Sequence, residues 1–265
     1  MNTDLRRLAC RLATVTGILM VIQSTTGILF FDLYRDGSFA LQAWRINDPV
    51  TLAVAVPVLA VSLILSRRGS LRGFLLVLGV MQYAFYNYAF YLFGAVVNIH
   101  FLLYVSLAVL SAIAFVAGLV ALDVRSVRES VSPGAPLRLV AAYMFVWAAV
   151  LGVAWVAQAL AVGLSGTAPE IGEEPFRLIA ALDLLFVVTP VAFGAVWLWK
   201  RFGWGLVIAI VMNVKGAIYA SILLTAGIVW GGDDLIGLWV FFVVGSLFSL
   251  IVLMREVREH EGGAP

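Results

Sequence analysis

The feature that most constrains this chain is a succession of eight uninterrupted apolar stretches, at approximately 11–31, 50–66, 73–97, 99–122, 137–164, 178–199, 204–229 and 236–254. Each is long enough, or nearly so, to cross a ~30 Å hydrocarbon core as a helix. None alternates polar and apolar residues in the manner of a barrel strand. Lipid offers no partner to a backbone N–H or C=O, so a spanning segment pairs its own groups by forming a helix. The expected fold is therefore all-α, a polytopic membrane bundle of about eight transmembrane helices. The 265 residues agree with this: 63% are hydrophobic, 12% are charged, and the mean hydropathy is +1.05. That length leaves no room for a separate soluble domain. The single cysteine, Cys10, excludes a disulfide framework or a thiolate metal cluster.

The net charge of +2 says less than where the charges fall. Arg6, Arg7, Arg11, Arg67, Arg68, Arg72, Arg125, Arg128, Arg138, Lys200, Arg201, Arg255 and Arg258 all belong to the amino-terminal segment, the even-to-odd span connections and the tail. The acidic residues Asp32, Asp36, Asp48, Glu170, Glu173, Glu174, Asp233 and Asp234 belong to the opposite set of loops, with only Arg35, Arg45 and Arg177 beside them. The positive-inside rule then puts both termini in the cytoplasm. The first span follows a basic segment but is long and leaves through "GILFFDLYRDG", without a small-x-small cleavage pattern, so it is expected to remain as an anchor. Tyr34, Trp44, Trp199, Trp204 and Trp230 fall near span ends, where interfacial aromatic anchors are expected.

The two halves of the chain align. Placing the segment around Pro57 on that around Pro190 superposes Arg67–Arg68 on Lys200–Arg201 and, after a small loop-length difference, Gln82 on Asn213 and Tyr88 on Tyr219. A proline, a dibasic turn, an amide and a tyrosine in one order suggest a tandem 4+4 duplication with halves 1–130 and 131–265. Because four spans restore the starting side, the repeats would be parallel, with a pseudo-two-fold axis along the membrane normal. Pro57 and Pro190 sit mid-span, where each removes a backbone hydrogen bond and is expected to kink its helix or only to shape its packing.

Few polar residues lie within the spans. Lys215 is about ten residues, or ~15 Å, from the cytoplasmic end of the seventh span, near the bilayer centre, where a lone ammonium is costly. Asp183 is the only carboxylate deep inside a predicted span, on the adjacent sixth helix, and the two are expected to meet. Such a pair can serve as an ion, proton or substrate site, as a neutral clasp between helices, or, more remotely, as a retinal Schiff base and its counterion. On the third span Tyr83, Tyr86, Asn87, Phe90 and Gly94 share one face at 100° per residue, which suits a ligand-contacting wall or hydrogen bonding to neighbouring helices. Tyr219 lies one turn from Lys215, while Asn213 points elsewhere. Thr16, Gln23 and Gly27 share a face of the first span. Lys215, Asp183, Tyr219, Tyr83, Tyr86 and Asn87 are thus the candidate binding residues.

No cofactor is expected. Haem ligation is excluded within the spans, since the two histidines, His100 and His260, fall at a boundary and in the tail. No HExxH, GxSxG or Walker-type motif occurs, and no extended basic surface suits nucleic acid. The acidic loop "APEIGEEP" could gather cations but has the composition of a solvated loop. The stretch "ALDLLFVVTPVAF" with "LWKRFGWGLVIAIVMNVKG", within residues 178–219, resembles a pattern of uncharacterised prokaryotic multi-pass integral membrane proteins. The resemblance implies a prokaryotic plasma membrane and a family pattern that includes Asp183 and Lys215, but no activity. Three functions stay open: a small-solute or ion transporter with a site between the halves, a receptor-like or accessory protein, and an intramembrane enzyme acting on a lipid-soluble substrate. The partners expected are the bilayer and a small-molecule ligand.

Overall fold

A computed structural model describes residues 2–166, 168–169, 171–231 and 234–257; Glu170, Asp233, Arg258 and His260, named above, lie outside them. Eight of its helical segments are long and apolar enough to cross a membrane, and the chain is a multi-pass membrane protein. The first span is α1 (Thr3–Leu29), capped by the Asn2 side chain, which accepts from the Asp4 and Leu5 N–H groups at 3.1 and 3.2 Å. The second is α2 (Ser38–Val50) continued through a π-turn (Thr51–Ala55) into α3 (Val56–Arg67). Then follow α4 (Leu71–Gly94), α5 (Phe101–Ala121), a short α6 (Val124–Glu129) between spans, and α7 (Leu137–Ser165). The sixth span repeats the form of the second: α8 (Glu173–Asp183), a π-turn (Leu184–Val188) and α9 (Thr189–Trp199). The last two are α10 (Gly203–Trp230) and α11 (Ile236–Glu256).

The prolines explain the interruptions. Pro57 and Pro190 each lack the N–H that would reach the carbonyl four residues back, and each ring presses on that carbonyl, so the helix widens by one residue ahead of them. In the sixth span the carbonyl freed by Pro190 is that of Phe186, and it accepts from Gln82 Nε2 of α4 at 3.1 Å. The Leu184 carbonyl accepts from Thr189 Oγ1 at 2.7 Å.

Arg35 lies in the α1–α2 connection at one end of the bundle, while the connections that carry Arg68, Arg125, Arg128, Lys200 and Arg201 lie at the other. There Asn2 N–H reaches the Ala121 carbonyl at 3.0 Å, Arg6 donates to the Ser66 and Ser70 carbonyls at 2.8 and 3.0 Å, Arg72 to Val257 at 2.6 Å and Arg201 to Ala135 at 2.7 Å. At the far end the Asp36 carboxylate accepts from the Val96 N–H, and Thr26 Oγ1 lies 3.0 Å from His100 Nε2.

α4 and α10 pack side by side at the centre and are the most buried of the eight spans. α3 and α5 flank α4; α9 and α11 flank α10. α2 crosses to touch α10, and α8 crosses to touch α4. The turns between flanking and central helices match in detail. Arg68, Gly69 and Ser70 N–H bond the carbonyls of Ile64, Ser66 and Leu65; Lys200, Arg201 and Phe202 N–H bond those of Val196, Leu198 and Trp197, each 132 positions on. Gly69 and Arg201 both take the left-handed conformation, at φ 88° and 56°. Gly73 and Gly205 hold corresponding places where α4 meets α3 and α10 meets α9; a Cβ on either would strike the backbone at Ser66 or at Leu198. One arrangement is not matched: α1 lies along α5, whereas α7 lies along α9 and touches α11 only sparsely.

Candidate functional site

The second and sixth spans each carry a buried carboxylate just before the π-turn, and the two are held differently. Asp48 sits on α2 at 2% exposure, not in a loop, because the second span begins at Ser38 rather than near 50. Asp183 is therefore not the only intramembrane carboxylate. Asp48 accepts from Tyr34 Oη at 2.7 Å, Tyr91 Oη at 2.8 Å and Gln23 Nε2 at 3.1 Å. Gln23 Nε2 also donates to Tyr34 at 3.0 Å, and its Oε1 accepts from Tyr88 at 3.1 Å. Tyr34 and Trp44, expected as interfacial anchors, belong to this interior: Trp44 is fully buried, stacks on Tyr91 at 4.0 Å and donates to Asp36 at 3.1 Å. Gly27 lies against Asp48 and Tyr34, while the Thr16 hydroxyl donates back to the Leu12 carbonyl at 2.9 Å. Aromatic rings fill this half, and the donors around Asp48 match its oxygens. Trp199, Trp204 and Trp230 do lie at helix ends, partly exposed.

In the second half the sparse contact between α7 and α11 leaves a cavity of about 270 Å³. Its walls are Phe39 of α2, Phe90 of α4, Trp147 and Trp155 of α7, Tyr219 and Trp230 of α10, and Trp239 and Phe242 of α11. It runs from the far ends of α2, α10 and α11 down to Lys215 and Gly216. Toward the other end α7 and α11 are clasped, the Tyr143 hydroxyl donating to the Phe242 carbonyl at 3.0 Å and lying 3.0 Å from Ser246 Oγ. Among the described residues Asp183 and Lys215 are the only charged ones that line it.

The two do not meet directly. Among the described residues the ion pairs are Arg7–Asp4 and Arg125–Glu129, both at the surface. Tyr86 stands between Asp183 and Lys215 instead. Its hydroxyl donates to Asp183 Oδ1 at 2.5 Å, and its ring face takes the Lys215 ammonium at 3.9 Å from the centroid. Tyr219, edge-on to Tyr86 at 5.0 Å, offers Lys215 a second ring face at 4.4 Å. Trp155 Nε1 donates to Asp183 Oδ2 at 2.9 Å. Each carboxylate oxygen thus has a donor, while the lysine, 2% exposed, rests on two π faces and keeps its N–H groups toward the cavity. A desolvated cation over an aromatic face gains on the order of 2 kcal/mol, less than a lost hydration shell. The ammonium is held but not neutralised.

Of the six candidates, then, Lys215, Asp183 and Tyr219 line the cavity and Tyr86 joins them. Tyr83 belongs elsewhere, its hydroxyl 2.9 Å from Thr51 Oγ1. Asn87 is fully buried, with neither amide atom partnered, and does not line the cavity. Asn213 donates to the Ala209 carbonyl at 2.8 Å, turned from the lysine as expected. Sequence reasoning missed Trp155, Trp147 and Asn47; the first two sit in an otherwise featureless apolar span, where only their indole rings marked them. Asn47 lines the cavity at 2% exposure with its Oδ1 unpartnered. A second cavity, of about 600 Å³, lies between α4, α5, α9 and α10; no charged residue lines it. Among the described residues no three His, Cys, Asp or Glu side chains gather as a metal site. Compared with protein-family models, with curated proteins and with solved structures, the chain has no match.

Proposed function

We propose that this protein is a small-solute carrier of a prokaryotic plasma membrane, with both termini in the cytoplasm and its binding site in the aromatic cavity where the second half meets the first. The observation that carries this is Lys215: an ammonium near mid-span, without a carboxylate in ion-pair range, at the foot of a cavity open toward the far end. Ionisable groups at such depth serve function by default. The matched turns, the matched π-turns and the crossed packing of α2 on α10 and α8 on α4 support a parallel duplication with halves 1–130 and 131–265. Carriers built from repeats bind at the repeat interface through interrupted helices. The basic connections gathered at the terminal end support the orientation. The Tyr143 clasp closes the cavity toward the cytoplasm, so this is the outward-facing arrangement, and opening inward requires α7 and α11 to part there.

Cysteine accessibility tests the proposal. In a Cys10→Ser background, Ala226→Cys and Leu223→Cys, both on the cavity wall, are expected to react with a membrane-impermeant thiol reagent applied from outside. Tyr143→Cys is expected to react from the cytoplasmic face in inverted vesicles. A cavity wall unreactive from both faces would mark a packed core, and the carrier proposal would fall.

A further inference from the structure

We propose that the ligand of this cavity is a neutral, planar, apolar molecule bearing a carbonyl oxygen, which accepts a hydrogen bond from the Lys215 ammonium. The inference rests on the cavity being a solute site, as proposed above, and adds the class of solute.

Charge comes first. Among the described residues Lys215 and Asp183 are the only charged ones lining the cavity, one of each sign, so together they leave its wall formally neutral. An anionic ligand would leave a net negative charge near the bilayer centre and a cationic one a net positive charge, both costly there. A neutral ligand keeps the balance. The hydrogen-bonding inventory then selects the functional group. Asp183 already holds one donor on each oxygen, from Tyr86 and Trp155, and so needs a ligand donor less than Lys215 needs an acceptor. Lys215 is the reverse, with three N–H donors, two ring faces below it and no anion in ion-pair range. What Lys215 lacks is an acceptor; Asn47 Oδ1 on the α2 wall is by contrast an acceptor free to take a donor. A carbonyl oxygen supplies Lys215 with its acceptor without charge. The walls give the remaining property: the rings of α7, α10 and α11 around a space of about 270 Å³ suit a flat molecule of about two fused rings, which they can stack upon.

Binding to the full-length protein in lipid nanodiscs, in a Cys10→Ser background, tests this by equilibrium dialysis against matched empty discs. The probes are 2,3-dimethyl-1,4-naphthoquinone, 2,3-dimethylnaphthalene and 2-naphthoate. The first has the shape and the carbonyls and no open position for addition of an amine, the second the shape alone, the third the rings with an anion. The quinone is expected to bind at least about tenfold more tightly than either other probe. Lys215→Met, which removes the donor, is expected to lower quinone affinity about tenfold, whereas Lys215→Gln, which keeps an uncharged N–H donor, holds it within about threefold. Should the naphthoate bind best and lose its binding in both variants, the cavity is a solute site for anions: the carbonyl class is overturned and the carrier proposal stands. Should quinone and hydrocarbon bind alike and Lys215→Met change neither, the lysine reads no ligand and this inference falls. If no probe binds and the wall cysteines are also unreactive, both proposals fall together. Should Lys215→Met not fold, the probe ranking on wild-type protein and the Lys215→Gln variant decide.

Discussion

At Asp48 three donors converge on one buried carboxylate, two of them tyrosine hydroxyls and the third an amide that also holds a tyrosine. Asp48→Leu keeps the branched outline of the side chain at a larger volume and removes the acceptor shared by all three buried donors. Buried interhelical hydrogen bonds in membranes average about 0.6 kcal/mol and reach about 1.7, so the expected loss is about 2–4 kcal/mol, read as a lower midpoint in detergent unfolding. Asp48→Asn, which keeps an acceptor, is expected to lose about half as much. If Asp48→Leu unfolds as wild type does, the network adds no stability. Asp48 also shows where a hydropathy scan fails. Arg45, Asn47, Asp48 and Pro49 together lower the local average enough to read as loop, yet Arg45 leans outward over the Phe31 ring at 4.4 Å while Asn47 and Asp48 turn inward. An average cannot separate two faces of one helix. Lys215 escaped the same fate because its neighbours, Asn213 apart, are apolar, so its isolation was visible. Tyr86 was legible as a candidate on the aromatic face of the third span, but not its place between Lys215 and Asp183, since nothing in linear order says that a ring on the third span will stand between the sixth and the seventh.

The two hairpins, α3–α4 and α9–α10, share a turn whose second residue after the helix is left-handed, glycine in the first and arginine in the second. A side chain in that region costs about 1 kcal/mol relative to glycine. Gly69→Ala is therefore expected to destabilise by about 1 kcal/mol. Arg201→Gly is expected to be more stable than Arg201→Ala by about the same amount, the comparison of two variants cancelling the lost bond to the Ala135 carbonyl. Equal stability of Arg201→Gly and Arg201→Ala in thermal unfolding would show that the turn relaxes. The proline-and-dibasic pattern read from sequence lies at these hairpins, but not in one register. The correspondence is 133 positions at the prolines and 132 in the turn, so that Arg68, not Arg67, stands where Lys200 does. The prolines were legible as disturbances; that the freed carbonyls ahead of Pro190 would find partners depended on Gln82 and Thr189 being placed to take those of Phe186 and Leu184.

Across the whole molecule, the eight spans and the gathering of basic connections at one end were legible because lipid imposes both on the linear sequence. The asymmetry between the halves was not, for it arises from α7 lying along α9 instead of α11, a choice among packing partners that similar apolar faces do not announce. If the orientation proposed above is correct, epitope tags at the two termini will both be protected from protease in intact spheroplasts and both be cut after permeabilisation. A tag cut in intact cells overturns it. The central position of α4 has a further consequence, for biosynthesis. α4 is the least apolar of the eight spans and the most enclosed by protein, and its largest partner outside its own half, α10, is translated more than a hundred residues later. Until then Tyr86 and Gln82, whose hydrogen-bond partners Asp183 and Phe186 come later in the chain, lack that shelter. Residues 1–130 made alone are thus expected to be rapidly degraded and to be rescued when residues 131–265 are supplied as a second polypeptide, so that the waiting third span, more than any ligand, sets the order in which this protein is assembled.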